Sequence, residues 1–545
     1  LSKKLLSFFL FMSIGSYAST AQELNSLNRI DALHYTFEIE ISDFNNQISG
    51  KTDLLFKVKK TSIDSILLDF IQSDTEGVGM AVAAVKLNNQ PVNFRQVEEH
   101  LIIILDKPLE KEYLGTLHIS YKGIPGDGLI ISKNEYGERT FFGDNWPNRA
   151  RNWIPVIDHP SDKATCEFKI IAPEQYKVIA NGLLREESSL GLYHNEEKKI
   201  THWVNDQPIS TKVMVFGAAR FAVLYDQPVQ NIPIQHWVYA DNRNVSFEDF
   251  KPTANILHFM TLMIGKYPFQ KLANVESKTK YGGMENASNI FYNERVVDGN
   301  RNIESLIAHE VAHQWFGNAV SEKNWEHIWL SEGFSTYLSH MYIEHTYGID
   351  SMRNMLENDK NRIFSYYRKS PDSPIVNTSE TNLFQHLNAN SYQKASWVLH
   401  MLRQKVGDKA FKAGIKAFYT KYCHNIADSE DFKETMELTS GIQLDQFFNT
   451  WIYSAGHPII EGEWKYSGFG KKLKFELAQI QENKIIYHLP IEVGVIYDEG
   501  DDLEIFKVSL NDRVESFEIK LKAQPLKVNL DPLTKILMET HFVNK

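Results

Sequence analysis

Apolar and polar positions alternate with a period of two over the first part of the chain. Tyr35, Phe37, Ile39 and Ile41 are set between His34, Thr36, Glu38 and Glu40, the pattern of a strand with one buried face. Similar short apolar runs recur from about residue 30 to 225, punctuated at Asn45-Asn46, Gly123-Ile124-Pro125-Gly126 and Asn181-Gly182. They predict an antiparallel β domain over residues 22–228. The period changes near residue 250. Ile256, Leu257, Met260, Met263 and Ile264 fall at helical spacing after Pro252, and Gly265 with Pro268 ends that helix. Helical patterns continue to about Trp451, closed by Gly456 and Pro458, which predicts a mainly helical domain over 229–456. Alternation returns at Leu473, Phe475 and Leu477 and again at Ile491, Val493, Val495 and Tyr497, with an acidic turn at Asp498 to Asp502. A small β-sandwich is expected over 457–545. The fold class is therefore multidomain α+β, without internal repeats, low-complexity tracts or long linkers.

Composition narrows the class of partner. A chain of 545 residues with 43% hydrophobic and 12% aromatic content can build full cores. Its net charge of -11 argues against nucleic acid as the main partner. Residues 1–21 have the form of a signal peptide. Lys3 and Lys4 precede an apolar core from Leu5 to Ile14, and Ser19-Thr20-Ala21 is a small-residue cleavage site before Gln22. That core is shorter than the ~20 residues a bilayer requires, so no integral membrane segment is expected after signal removal. An exported protein, periplasmic or secreted, is the expectation. Only Cys166 and Cys423 are present, too few for a disulfide framework. Two separate buried thiols are expected, although sequence alone does not exclude their pairing.

The most specific chemistry lies in His309-Glu310-Val311-Ala312-His313, followed by Glu332 after 18 intervening residues. Residues four apart share one face of a helix, so both imidazoles can address one point. Two histidines and one carboxylate form a Zn²⁺ donor set that leaves a fourth position open for water. Glu310, next to a ligand, can reach that water as general base. The apolar flank of Glu332 in Trp329-Leu330-Ser331-Glu332-Gly333-Phe334 suits a second buried helix. Upstream, Gly282-Gly283-Met284-Glu285-Asn286 pairs glycines, which permit close approach of a ligand to the backbone, with an acid that can hold a cation.

Together these motifs resemble the zinc aminopeptidase family that includes aminopeptidase N and leukotriene A4 hydrolase. Family members carry Gly-x-Met-Glu-Asn before HExxH-x18-E and a catalytic tyrosine after it. The Gly-Gly form and Lys323-Asn324-Trp325-Glu326-His327-Ile328-Trp329-Leu330 lean towards the leukotriene hydrolase branch. Further similarity covers Ala150-Arg151 through Ala164 and Trp451 to Pro458, so the likeness spans about residues 30 to 460. It implies a thermolysin-like catalytic domain and one Zn²⁺ per chain, held by His309, His313 and Glu332. It also implies peptide substrates with a free N-terminus. Glu285 would bind the α-amino group, while Gly282, Gly283 and Met284 would line the peptide backbone and first side-chain pocket. Glu310 would take the water proton and pass it to the leaving amine. Tyr392, in Ser391-Tyr392-Gln393-Lys394-Ala395-Ser396, would stabilise the oxyanion; nothing but the resemblance singles it out among 24 tyrosines.

Two positions depart from the family pattern. Many relatives place a second amine ligand shortly before the Ala-Arg pair, where this chain reads Gly143-Asp144-Asn145-Trp146-Pro147-Asn148-Arg149-Ala150-Arg151. Asp144 or Asn145 could substitute, with Asp144 the tentative candidate. Phe384 occupies the spacing of the aspartate used in epoxide chemistry, which argues against the lipid reaction. The remaining histidines, such as His258, His386 and His400, are read as packing or surface residues. No sustained helical periodicity follows Pro458, where many relatives carry a capping helical domain, so a more open cleft tolerant of longer peptides is expected. The alternatives are a zinc endopeptidase, which the amine anchor Glu285 opposes, and a non-catalytic peptide-binding relative, which the intact donor set opposes. First-residue preference, oligomeric state and biological role are not legible.

Overall fold

The computed structural model describes residue 27, residues 29–498, residue 500 and residues 502–545. The signal-peptide reading of residues 1–21 lies outside the described residues, as do two positions of the acidic turn at 498–502. The period-two segments form strands as expected. Ile30–Glu40 turns Tyr35, Phe37 and Ile39 inward, each fully buried. It lies in an eight-stranded sheet whose order is Leu183–Tyr193, Glu196–Ser210, Lys163–Pro173, Ile30–Glu40, Ile48–Val58, Leu114–Ile124, Gly79–Leu87 and Gln90–Pro91. This sheet is not purely antiparallel. Ile30–Glu40 runs parallel to Lys163–Pro173, with Phe37 opposite Phe168. Alternation reports which face is buried and carries no information on strand direction.

The boundary expected at 228/229 falls inside a strand. Strand Phe221–Val229 forms a hairpin with Ile232–Tyr239, and both belong to a five-stranded sheet completed by Leu272–Ser277, Asn289–Asn293 and the short edge strand Gly283–Met284. The first apolar helical run forms a helix at Thr253–Met263. Four further helices matter for function: α1 (Glu304–His313), α2 (Trp329–Tyr347), α3 (Ile349–Tyr367) and α4 (Ala395–Val406). α2 is buried from Trp329 to Tyr342, as its apolar sequence requires of a central helix. Gly333 lets α4 approach it: a Cβ at that position would stand 2.4 Å from the Ala395 Cβ.

The C-terminal alternation forms a sandwich of a four-stranded sheet and a three-stranded sheet, with Leu473, Phe475, Leu477, Ile491, Val493 and Val495 buried in it. Cys166 and Cys423 are both free; Cys166 is buried and Cys423 partly so. Among the described residues no helix is long and apolar enough to cross a membrane.

Candidate active site

The two motif histidines sit on one face of α1, where the helical period puts them. Their Nε2 atoms are 3.0 Å apart. Glu332, from the first turn of α2, brings Oε2 to 3.2 Å from His313 Nε2 and 3.5 Å from His309 Nε2. Three donors each about 2.0–2.1 Å from one tetrahedral centre would stand about 3.3–3.4 Å apart. The observed triangle fits a zinc ion. The ring of His313 is fixed from behind, its Nδ1 lying 3.2 Å from the Phe316 carbonyl and 3.0 Å from Ser331 Oγ. A donor Nδ1–H there leaves Nε2 as the free lone pair, which is the tautomer a metal needs. Burial alone would raise the Glu332 carboxyl, yet the His313 charge and hydrogen bonds from both histidines hold it well below the usual range.

Glu310 and Glu285 face the same point. Their ligand atoms and that of His313 all lie within 4.8 Å of one another. Both carboxyls are pushed up from ordinary glutamate, first by burial and then by neighbouring carboxylates, against the opposing charge of His313. Glu310 Oε2 and Glu285 Oε1 are buried with no hydrogen-bond partner among the described residues. Unpaired buried carboxylate oxygens are costly, and a bound metal, water and ammonium would satisfy them.

The glycine pair divides its work. A Cβ on Gly283 would stand 2.3 Å from Glu310 Oε1, whereas one on Gly282 would make only ordinary contact with Leu306. Gly283 therefore leaves the room that the Glu310 carboxylate occupies against the edge strand. The strand is clamped from beneath: Gln314 Nε2 and Asn318 Nδ2 donate to the Glu285 carbonyl at 3.0 and 2.6 Å. Both donors follow the zinc motif directly, so the metal ligands and Glu285 share one rigid support.

Tyr392 lies in a single π-helical turn, Asn390–Lys394, that runs into α4. Its ring stacks on His309 with centroids 6.1 Å apart. Burial, then the charges of Glu332, Glu285 and Glu310, push its hydroxyl well above the usual range, so it remains a proton donor. Asn390 Nδ2 donates to the Ser373 carbonyl at 2.7 Å and Ser391 Oγ to the His386 carbonyl at 2.6 Å, which anchors the turn.

These groups line a cleft of about 570 Å³ together with Gly282, Gly283, Met284, Trp146, Tyr281 and a second set from α2 and α3. Asp144 does not reach it. It is fully buried, ion-paired with Arg149 at 2.6 Å, and accepts from Lys280 N at 3.0 Å. Its carboxylate is taken up by Arg149 on one side and by the 279–280 segment on the other, which corrects the expectation of a second amine ligand there. Asn145 is equally committed, donating to the Thr211 and Met214 carbonyls and accepting from Trp153. What the β domain adds to the lining is Trp146. Phe384 packs its ring against Trp146 at 6.1 Å and brings no carboxylate to the site. His400 packs as expected, between Tyr337 and the Thr534 carbonyl. His340 does not belong with the ordinary packing histidines: it lines the cleft and bonds to Asp359 at 2.8 Å. No short-range spacing marks that pair, because its members lie on different helices.

Two helices that present two histidines and a glutamate, beside a sheet edge carrying a further acid, define the HExxH class of zinc-binding domain. Residues 249–451 match the peptidase family M1 domain and residues 31–213 the peptidase M1 N-terminal domain. The chain belongs to peptidase family M1. It is 25% identical over 477 residues to a probable aminopeptidase 2 of Sulfurisphaera tokodaii, covering 81% of this chain and 60% of that protein. A leucyl aminopeptidase of Saccharolobus solfataricus is 25% identical over 454 residues, covering 77% and 54%. The glutamyl aminopeptidase of Homo sapiens is 25% identical over 331 residues, covering 58% and 34%. The chain thus spans less than two-thirds of the length of these curated relatives. The fold matches the crystal structure of a mutant M1 zinc metallopeptidase from Deinococcus radiodurans, with a TM-score of 0.67 and 21% identity, over 78% of this chain and 94% of that one.

Proposed function

We propose that the protein is an exported zinc aminopeptidase that removes the N-terminal residue from peptides, with one zinc per chain. The observation that carries this reading is the position of Glu285. Its unpaired buried oxygen faces the general-base candidate and the metal donors from a sheet edge. Zinc held by His309, His313 and Glu332 would polarise the scissile carbonyl and lower the pKa of an attacking water towards about 7. Glu310 takes the proton of that water and delivers it to the leaving amine. Tyr392 donates a hydrogen bond to the oxygen on which charge develops, a contact often worth roughly 3–4 kcal/mol. Glu285 holds the substrate ammonium, which sets the register at one residue per cycle, while the edge strand Gly283–Met284 offers its backbone to the peptide. Relatives named as aminopeptidases support the reading. The signal-like sequence of residues 1–21 supports export, which fractionation of cells producing the full chain and N-terminal sequencing at Gln22 would check.

The test is hydrolysis of a panel of aminoacyl-arylamides by the zinc-loaded protein, with and without chelator, beside Glu285→Ala. Chelator-sensitive release that collapses in the variant is expected, and the metal content should be one zinc per chain. Folded, zinc-loaded protein that releases no arylamine would overturn the proposal.

A further inference from the structure

We infer that the outer end of the cleft is a carboxylate-binding subsite for the leaving part of the peptide, with Arg362 as its cation. This rests on the aminopeptidase reading and deepens it. The cleft lining has two polar groups of residues. Glu285 lies with Glu310 and His313 in one of them. His309 lies one helical turn earlier on α1, and Thr336 stands 3.5 Å from its Nδ1. From there the lining continues along α2 through Ser339 and His340. The substrate amine occupies the Glu285 end, so the chain beyond the scissile bond runs towards α2 and α3.

α3 folds back along α2 after the single residue Gly348, and the bond from His340 to Asp359 ties the two helices together. Asp359, Asn358 and Arg362 all line the cleft. The Asp359 carboxylate is committed to His340, and both are buried. Arg362, one turn further along α3, is exposed, and its side chain makes no ion pair or hydrogen bond with any described residue. Arg353 and Lys360 on the same helix are paired, with Asp350 and Glu357. Arg362 is thus a cleft-lining cation left available to a ligand. The Asn358 side chain beside it likewise has no hydrogen-bond partner among the described residues.

Reach selects the ligand. Helix α2 rises about 1.5 Å per residue, so the path from Glu332 to the level of Ser339 and His340 is on the order of 10 Å. An extended peptide covers that in about three residues. A planar guanidinium matches a carboxylate in two parallel hydrogen bonds. The ligand chemistry is therefore a carboxylate two or three residues past the scissile bond. It comes either from the C-terminus of a tri- or tetrapeptide or from an acidic side chain in a longer one.

The test compares kcat/KM for tri- and tetrapeptides with free C-termini against the same peptides amidated. A second, amidated series carries Asp or Glu against Asn or Gln at the second and third leaving positions. Both are run on the wild type, Arg362→Met and Arg362→Lys. The wild type is expected to favour the carboxylate by about three- to fivefold, the upper range for an exposed ion pair, with the ratio shrinking as salt is raised. The ratio should fall to about one in Arg362→Met and be partly kept in Arg362→Lys. The series that shows it identifies the terminal or the side-chain carboxylate as the source. A smaller folded fraction lowers both members of each pair equally, so the ratio reads the subsite and not the folding of the variant. A wild-type ratio near one in both series, or a ratio that survives in Arg362→Met, would overturn the inference while leaving the aminopeptidase reading standing. A wild type that cleaves none of the peptides would overturn that reading, and the inference with it.

Discussion

The central helical domain and the β domain border one cleft and contribute to it in different ways. The central domain supplies nearly all of its polar side chains, from α1, α2, α3, the π-turn and the edge strand. The β domain lends Trp146 to the wall and otherwise acts from behind. Lys163 Nζ donates to the Asn318 and Ala319 carbonyls at 2.9 and 2.7 Å, just past the zinc helix. Lys212 makes a fully buried ion pair with Glu322 at 2.6 Å. Asn318 in turn holds the Glu285 carbonyl. One domain carries the proposed chemistry, and the other braces the turn that supports both the proposed metal ligands and the proposed amine anchor.

That division sets a graded series of tests. The largest effect should come from Glu310→Gln, which removes the proposed general base without touching a metal donor. Turnover is expected to fall by roughly 10³-fold or more, with zinc content by elemental analysis unchanged. Loss of zinc along with activity would show that Glu310 supports the metal instead. Gly283→Ala comes next, since its methyl must displace the Glu310 carboxylate or the strand. An activity loss of about 10²-fold with an unchanged melting temperature is expected, because misplacement by about 1 Å has that consequence. Alanine at Gly282 should be far milder.

Behind the cleft the signature reverses. Lys212→Met leaves Glu322 buried and unpaired, which should destabilise the protein by about 3–5 kcal/mol in denaturant unfolding. Adding Glu322→Leu should restore part of that loss. A single variant as stable as the wild type would remove the bracing role from the comparison. The smallest effect concerns the seam with the C-terminal sandwich. His457 is buried, stacked on Phe364 with centroids 4.5 Å apart. Burial, aided by the charges of Lys394 and Arg368, pushes its pKa down to about 3. An unfolded histidine titrates near 6.5. Between those values the unfolded chain binds a proton that the folded one refuses, so stability falls as pH falls, by about 1.4 kcal/mol per unit. Between pH 7 and 5.5 the wild type should lose about 1 kcal/mol more than His457→Asn; parallel profiles would contradict this.

The same division explains what was legible in the sequence. Gly283 and Glu285, though within five consecutive residues, drew their roles from the family resemblance, whereas His309, His313 and Glu310 are tied together by one helical period, which local spacing shows. The sandwich and the first helix were legible for the same reason. The parallel pairing of Ile30–Glu40 with Lys163–Pro173 was not, because direction is set by a long connection. Asp144 had the right residue type in the right stretch, yet Arg149 captures its carboxylate, a contact that spacing does not announce. The π-turn that aims Tyr392 has the composition of an ordinary helix start. His340, Asp359 and Arg362 meet only because α3 folds back along α2.

The central claim is that Glu285 anchors a substrate ammonium. It is tested most directly by kcat/KM for one peptide with a free N-terminus and the same peptide N-acetylated, in the wild type and in Glu285→Gln. The account predicts strong preference for the free amine in the wild type, and in the variant a loss confined to the free-amine peptide. Efficient cleavage of the acetylated peptide by the wild type would contradict it and make the protein an endopeptidase.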